Sequence, residues 1–190
     1  MDKLHRCPWV DLSKPDYINY HDQEWGVPVH DDRVQFEFLL LESAQAGLSW
    51  YTVLRKRENY RQSFKDFDPQ AVARFGEEDI ERMLQNPGLI RNRAKLKSAI
   101  NNARIFLALQ DEFGSFCAYI WRFVNGRPII NSPKTLQEIP ATSKESDALS
   151  KDLKQRGMSF VGSTIIYAHM QATGLVNDHT LDCFRRPELL

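Results

Sequence analysis

The stretch from residue 34 to residue 50 reads VQFEFLLLESAQAGLSW, and it decides the fold. Val34, Phe38 and Leu41 recur at the spacing of one helix face, and further apolar residues between them make the segment apolar almost all round. A helix with this pattern lies inside a protein. Because helical patterns continue along nearly the whole chain, we expect an all-α protein with about eight to ten helices.

Helix boundaries can be predicted on both sides of the central segment. Asp68 followed by Pro69 is typical of a helix start, and residues 86–88 (Asn-Pro-Gly) indicate a turn. One long amphipathic stripe covers residues 95–107, and a shorter one covers residues 116–123. These signals predict several helices joined by short connections.

The C-terminal half carries three further boundary signals. Thr142 and Glu145 have the spacing of a capping box. A helix resumes at Gly162 and ends near Gly174. Only residues 127–130 indicate extended structure.

Length and charge limit the classes of protein. With 190 residues the chain suits one compact domain or two small lobes that share a core. No apolar run approaches the roughly 20 residues that span a bilayer. The segment Met1–Arg6 lacks the apolar core of a signal peptide, so we expect a cytoplasmic protein. The formal net charge of +0 requires any nucleic-acid contact to use a local basic face.

Three segments are rich in Lys and Arg. They are residues 55–61, residues 91–97 and residues 151–156. Each is a candidate contact for phosphate, and each is equally well explained as a solvated helix surface.

The cysteines and histidines suggest a metal site. Three cysteines in a cytoplasmic chain argue against a disulfide framework, and Cys117 lies in an apolar segment typical of a buried thiol. If residues 179–183 are helical, His179 and Cys183 share one face of that helix. With Cys7 and His21 they make a Cys2His2 set that suits a structural zinc joining the two chain ends. The alternative is unrelated side chains, and three other histidines compete as ligands: His5, His30 and His169.

A carboxylate stands within the apolar central segment. Glu42 follows three leucines, and burial of a carboxylate is costly unless it is paired. It could point to solvent or pair with a structural arginine. Alternatively, Trp50 and the aromatic residues between 17 and 25 could form a cleft with it. Such a cleft could hold a planar ring whose amine donates to the carboxylate.

A glycine-bounded turn lies between two helical patterns near Gly162. Backbone N–H groups at Gly162 and Ser163, supported by Lys154, could hold a DNA phosphate as in a helix–hairpin–helix element. A plain connection between two helices explains the same residues.

Several of these segments together resemble one known family. Residues 17–28 (YINYHDQEWGVP), 42–50 (ESAQAGLSW), 56–60 (KRENY) and 160–179 closely resemble the DNA-3-methyladenine glycosylase I (Tag) family. The likeness runs in register from Cys7 to Cys183. Each motif is weak alone, and the combination is very specific.

The resemblance implies a fold, a cofactor and a reaction. It implies a single helix–hairpin–helix glycosylase domain over residues 1–190, with two helical lobes, a cleft between them and the hairpin element at about residues 146–174. It also implies release of free 3-methyladenine from double-stranded alkylated DNA, which leaves an abasic site. The residue roles that it implies are zinc ligation by Cys7, His21, His179 and Cys183, base binding by Tyr20, Glu42 and Trp50, and a catalytic-site role for Glu42.

Two details of mechanism follow from the same resemblance. The aspartate that many helix–hairpin–helix glycosylases carry after the hairpin aligns with Asn177 here, which leaves Asp178 as an uncertain candidate. No lysine stands just after the hairpin, so we expect a monofunctional hydrolase without lyase activity. We expect the flipped base to lie between Tyr20 and Trp50, and the loop with Gly47 and Leu48 to contact DNA.

Three rival functions fit parts of the same sequence. They are a non-catalytic module that binds DNA lesions, a hydrolase with a catalytic zinc, and a helical scaffold without a nucleic-acid role. A closed Cys2His2 site argues against the second because it leaves no coordination position for water. The sequence requires no dimer, so we expect a monomer.

Overall fold

The computed structural model describes residues 4–189, and the first half of the segment Met1–Arg6 therefore lies outside the described residues. In the part that is described, the protein is mostly helical. No helix within it is long and apolar enough to cross a membrane. The α-helices are α1 Pro15–Gln23, α2 Asp32–Gln45, α3 Trp50–Leu54, α4 Arg57–Ser63, α5 Pro69–Val72, α6 Glu77–Gln85, α7 Arg93–Phe113, α8 Phe116–Trp121, α9 Lys144–Gln155 and α10 Ser163–Ala172.

Helix α2 is the centre of the fold, as its sequence predicts. Asp31 caps its first turn by accepting a hydrogen bond from the Val34 backbone N–H. Residues 35–44 are all buried, and α2 packs against α3, α7, α8 and α10. The largest apolar core surrounds this helix.

A second, smaller core is rich in aromatic residues and packs against the middle of α2 at Phe38. It joins Tyr20, Trp25, Phe38 and the two cysteines Cys7 and Cys183. This small core lies beside both features described below, the cavity and the Cys/His cluster.

One short pair of strands interrupts the helical pattern. β1 (Ile129–Ile130) pairs in parallel with β2 (Val176–Asn177), and Ile129 aligns with Val176. The extended structure expected at residues 127–130 is confirmed, but the partner strand after α10 was not predicted. The all-α expectation is met in the coarser sense that the described residues are mostly helical, with this one two-stranded pair.

The start of α9 differs from the sequence prediction by one residue. Ser143, not Thr142, is the N-cap, and its side chain accepts from the Ser146 backbone N–H. The Ser146 hydroxyl accepts in return from the Ser143 N–H at 2.8 Å, so Glu145 takes no part. A serine at the third helical position completes the box as well as a glutamate does.

Helices α9 and α10 pack against each other and are joined by residues 156–162. This connection turns through left-handed backbone at Gly157 (φ 98°) and Phe160 (φ 56°). After α10, Gly174 also adopts a left-handed conformation (φ 70°), as expected of a residue that follows a helix end.

Candidate active site and metal centre

An open cavity of about 210 Å³ lies at the end of α2 beside the aromatic core. That volume is below the ~300–1,000 Å³ of typical drug-sized ligand pockets, so it suits a single base better than a nucleotide. Helices α1, α2 and α3 supply one side, and a 3-10 helix (Leu136–Glu138) and α10 supply the other. The lining residues are Trp9, Tyr17, Tyr20, Trp25, Glu42, Gln45, Trp50, Leu136, Ile139, Ala168 and Gln171.

Glu42 is the one carboxylate among the residues that line this cavity. Its side chain is 2% exposed, and its Oε2 has no hydrogen-bond partner among the described residues. Burial alone raises the pKa of Glu42 to about 8. The expectation that it points to solvent is therefore wrong. An unsatisfied buried carboxylate is costly. Glu42 is therefore a candidate group for binding a ligand.

The structural-arginine alternative is also wrong for Glu42, because the nearby arginines pair elsewhere. The guanidinium of Arg57 donates to Glu37 at 2.7 Å and to Glu24 at 2.6 Å. Arg61 donates to the same Glu37 oxygen at 2.8 Å. Glu37 and Glu42 thus lie on one helix, both buried, and only Glu37 is neutralised by arginine.

Tyr20 and Trp50 meet at the cavity wall, but not as two parallel plates. Their ring centroids are 5.3 Å apart and their planes are inclined by 46°. Rings at that separation already contact each other, so a base does not fit between them. The expectation of a base sandwiched between these two residues is corrected: both rings line the cavity and contact each other.

Sequence reasoning missed other lining groups. The indole Nε1 atoms of Trp9 and Trp50 are buried and lack partners among the described residues. Trp9 and Gln171 come from segments far from Glu42 along the chain, and no local pattern predicts that they meet it. The residues around the cavity therefore include two buried N–H donors and one carboxylate oxygen without partners, groups that could bond to a heteroaromatic ring with donor and acceptor edges.

Asp178 and Asn177, the two candidates after the hairpin, lie outside the cavity lining. Asp178 is buried and accepts hydrogen bonds from Asn131 (2.6 Å), Tyr167 (2.7 Å) and Gln171 (2.7 Å). The Asn177 side chain accepts from the His179 backbone N–H at 3.1 Å. Both residues thus order the segment around His179, and Asp178 reaches the cavity only through Gln171.

Beside the cavity, four side chains from the two ends of the chain converge. The ligand atoms of Cys7, His21, His179 and Cys183 all lie within 4.8 Å of one another, and all four residues are buried. The Cys7 and Cys183 sulfurs each lie 3.3 Å from His179 Nδ1. Cys183 Sγ lies 3.4 Å from His21 Nε2. A tetrahedral zinc places sulfur and nitrogen ligands about 3.5 Å apart, so this cluster could hold a metal ion.

The other nitrogen of each cluster histidine is also engaged. His179 Nε2 lies 3.0 Å from the Trp25 carbonyl oxygen, and His21 Nδ1 lies 2.7 Å from Asp22. Such outer contacts fix which nitrogen faces a metal. Hydrogen bonds from Cys7 and from both histidines lower the pKa of the Cys183 thiol, and the hydrogen bond with Cys183 raises the pKa of Cys7. A metal requires both sulfurs as thiolates, so its binding would release a proton from Cys7.

The segment that carries His179 and Cys183 is not a helix, which corrects one step of the sequence argument. Cys183 N–H donates to the Thr180 carbonyl at 2.9 Å, so a turn brings the two side chains together. The competing histidines lie elsewhere. His5 pairs with Asp182, His30 stacks on Trp121 and His169 bonds to Gln35. Cys117 is buried, as predicted.

The candidate DNA contacts fall into two separate groups. Gly47 and Leu48 form an exposed loop directly after α2, with Leu48 41% exposed. Lys154 is exposed on α9 and lines an open groove with Ser163. The Ser163 hydroxyl donates a hydrogen bond to Asp147 at 2.5 Å. The candidate phosphate donors at this point are therefore the backbone N–H groups of α10 and not the hydroxyl.

Several arginines of the three basic segments pair with carboxylates. Arg57 and Arg61 are paired as described above. Arg93 pairs with Glu77 and Glu81, and Arg156 pairs with Glu112 and Asp152. These arginines are thus engaged with carboxylates of the protein, and Arg57 is largely buried rather than solvated.

The comparison with known proteins agrees with this arrangement. Residues 9–186 match the protein family described as methyladenine glycosylase. The chain belongs to the methyladenine glycosylase family. It is 52% identical over 180 residues to DNA-3-methyladenine glycosylase 1 of Escherichia coli (strain K12), covering 95% of this chain and 96% of that protein.

Solved structures share the whole fold. A crystal structure of 3-methyladenine DNA glycosylase I (TAG) superposes with a TM-score of 0.94 at 54% identity, covering 96% of this chain and all of that chain. A variant of 3-methyladenine DNA glycosylase I in complex with 3-methyladenine superposes with a TM-score of 0.92 at 36% identity, covering 96% of this chain and 97% of that chain. The family therefore includes members whose structures hold this base.

Proposed function

We propose that this protein is a DNA-3-methyladenine glycosylase, a hydrolase that cuts the bond between 3-methyladenine and deoxyribose in alkylated duplex DNA. The observation that carries the proposal is the unpartnered, buried Glu42 in a base-sized aromatic cavity. Family membership and relatives named for this activity support the same reaction.

The cavity chemistry suits this base. Methylation at N3 gives the base a positive charge within DNA, and the Glu42 carboxylate attracts that charge. Its Oε2 can accept a hydrogen bond from the exocyclic amine, and the rings of Tyr20 and Trp50 offer faces for stacking. Damage also lowers the cost of taking the base out of the stack, which adds selectivity.

The bond change is simple to balance. The bond between the sugar C1′ and N9 breaks, and its electron pair goes to the base, which leaves as neutral 3-methyladenine. A water oxygen bonds to C1′, and one water proton passes to solvent. No protonation of the base is needed because it already carries a positive charge.

Glu42 serves selection first and rate second. A carboxylate that binds the cationic base also stabilises the ground state, and uniform binding does not raise the chemical rate. The developing positive charge on the sugar is stabilised by the DNA backbone and local dipoles in this account. We keep Asp178 as a positioning group for Gln171 rather than a direct participant.

The finer features of the family fold belong to the same proposal. Cys7, His21, His179 and Cys183 hold one zinc ion, whose closed set of protein ligands gives it a structural role. One domain of two lobes spans the chain, with the helix–hairpin–helix element in α9 and α10. Its Gly162, Ser163 and Lys154 and the loop residues Gly47 and Leu48 contact DNA. Missing lyase activity, a monomeric state and a cytoplasmic location complete the proposal.

The test is an excision assay on methylated duplex DNA. Chromatography should detect free 3-methyladenine, with abasic sites and intact strands until alkali is added. Unmodified duplex should release no base. The rival, a lesion-binding module, has a specific prediction: tight binding to methylated duplex with no release of base. That result, or strand cleavage without alkali, would contradict the proposal.

A further inference from the structure

Lys95 reaches from α7 to the end of α2. Its Nζ donates to the carbonyl oxygens of Ala44 at 2.8 Å and Ala46 at 2.5 Å. The last carbonyls of a helix lack partners within the helix and carry the negative end of its dipole. Helix α2 has no basic residue in its own last turn, so a lysine from another helix stabilises that end.

The charge of Lys95 has no carboxylate partner in the described part of the chain. Its neighbours on α7 behave differently: Arg93 pairs with Glu77 and Glu81, and Lys97 pairs with Glu77 at 3.4 Å. Partial burial lowers the pKa of Lys95, an effect that ion pairing would oppose. The two backbone carbonyls are therefore the polar partners that this ammonium group has.

Those carbonyls lie where α2 ends and the exposed loop, residues 46–49, begins. The loop joins Glu42 on α2 to Trp50 on α3, and both of these residues line the cavity. A hydrogen bond of 2.6 Å from Leu48 N–H to the Gln45 carbonyl closes it as a tight turn. A side chain added at Gly47 would meet no atom within 4 Å, so the tip projects into open space.

We propose that Lys95 is a positioning residue for base eversion, which holds the 46–49 loop so that Leu48 can fill the gap that the everted base leaves in the duplex. The inference rests on the proposed function. Lys95 itself touches neither base nor sugar in this scheme. Its two hydrogen bonds fix the position of the loop relative to the cavity. Without them, the exposed tip of the loop would move.

The test compares Lys95→Met with Lys97→Met as a matched control on the same helix. Lys95→Met keeps a long unbranched stem and removes all three donors. Eversion is followed by the fluorescence of 2-aminopurine stacked beside the lesion, and excision by single-turnover release of 3-methyladenine. Lys95→Met should lower both by roughly tenfold or more, because it removes the two charge-assisted hydrogen bonds that hold the loop.

Three further readouts separate positioning from other roles. Affinity for free 3-methyladenine should stay within about twofold in Lys95→Met, and Lys95→Arg should restore most of the eversion signal. The dependence of duplex affinity on salt should keep its slope. A slope smaller by about one would assign Lys95 to a DNA phosphate instead and overturn the proposal.

Other outcomes are equally decisive. If Lys95→Met excises the base as fast as an active wild type, this inference alone is overturned. If the wild type releases no base, both the inference and the proposed function are overturned. Equal losses of free-base affinity and excision would show that the cavity itself has collapsed, which also contradicts a positioning role. Should Lys95→Met fail to fold, Lys95→Gln removes the charge, keeps a shorter donor and allows the same comparison.

Discussion

The Cys/His cluster and the cavity lie side by side, but their polar atoms are arranged in opposite ways. In the cluster, the four ligand atoms face one another and the remaining histidine nitrogens bond to Trp25 and Asp22. In the cavity, Glu42, Trp9 and Trp50 each present a buried polar atom without a partner in the described chain. Polar groups that are all paired with one another stabilise the fold, whereas unpaired donors and acceptors are available to bind a ligand.

The two regions are joined by α1 and by shared rings. Tyr20 lines the cavity, and His21, the next residue, belongs to the cluster. Trp25 lines the cavity and also packs edge-on against His179, with ring centroids 4.6 Å apart. The cluster therefore holds one wall of the cavity in place. Substitutions in the cluster should alter the cavity, whereas substitutions in the cavity should leave the cluster intact.

The largest effect is expected from opening the cluster. Cys183→Ser should lose the proposed zinc ion and destabilise the protein by on the order of 4 kcal/mol or more, because the three remaining buried ligands then lack their ion. Elemental analysis and thermal unfolding measure both. Cys117→Ser, a buried cysteine outside the cluster, is the control and should retain its metal. Full metal content in Cys183→Ser would show that the cluster does not bind the metal.

A smaller effect, confined to function, is expected at the cavity. Glu42→Gln should reduce excision of 3-methyladenine by roughly 10- to 100-fold, the value of a hydrogen bond to a charged group, and leave the fold intact. Glu37→Gln is the matched control on the same helix. It should lose stability, because Arg57 and Arg61 each lose one buried charged partner, and folded protein should still excise. Equal excision by wild type and Glu42→Gln would show that the cavity is wrongly assigned.

The dependence on pH sharpens the contrast further. The pKa of Glu42 is raised from 4.5 to about 8 by burial, so the folded protein holds a proton that the unfolded chain releases in this range. Its contribution to stability is fully present below pH 4.5 and is lost as pH rises toward about 8. The unfolding free energy of wild type should thus fall relative to Glu42→Gln by at most about 1.4 kcal/mol per pH unit.

Excision should respond to the same proton with the opposite sign. Ionised Glu42 attracts the cationic base, so kcat/KM on methylated duplex should rise with pH until about 8. Tyr17 and Tyr20 face the same carboxylate, and burial first and Glu42 second raise the pKa of both phenols, so they stay neutral in this range. A wild-type profile that matches that of Glu42→Gln would contradict the assignment.

The helices could be predicted from the sequence, but the walls of the site could not. Periodicity places α2, α7 and α10 because it depends on residues near one another in the chain. The pairing of Ile129 with Val176 and the approach of Trp9 and Gln171 to Glu42 depend on tertiary packing. The ring angle of Tyr20 and Trp50 is set by neighbours such as Phe38, whose ring stacks near Trp50. The ligand set came from the resemblance to a family, since spacing alone left other histidines open.

The smallest effect is expected from one indole nitrogen. Trp9→Phe keeps an aromatic ring between the cavity and the cluster and removes one unpartnered donor. Stability should change little, because the buried N–H makes no hydrogen bond in the free protein. Affinity for 3-methyladenine should fall only a few-fold, within the ~0.5–1.5 kcal/mol of one neutral hydrogen bond. A calorimetric titration measures this, and a large loss of metal would show that Trp9 supports the cluster instead.

The central claim is that an everted, charged purine binds against Glu42 and the unused donors around it. The most direct measurement is the NMR signal of the indole N–H groups during titration with 3-methyladenine. Trp9 and Trp50 should shift, whereas Trp121, whose N–H already donates to the Val29 carbonyl at 3.0 Å, should not. Shifts at Trp121 alone, or no shift at saturating base, would contradict the account.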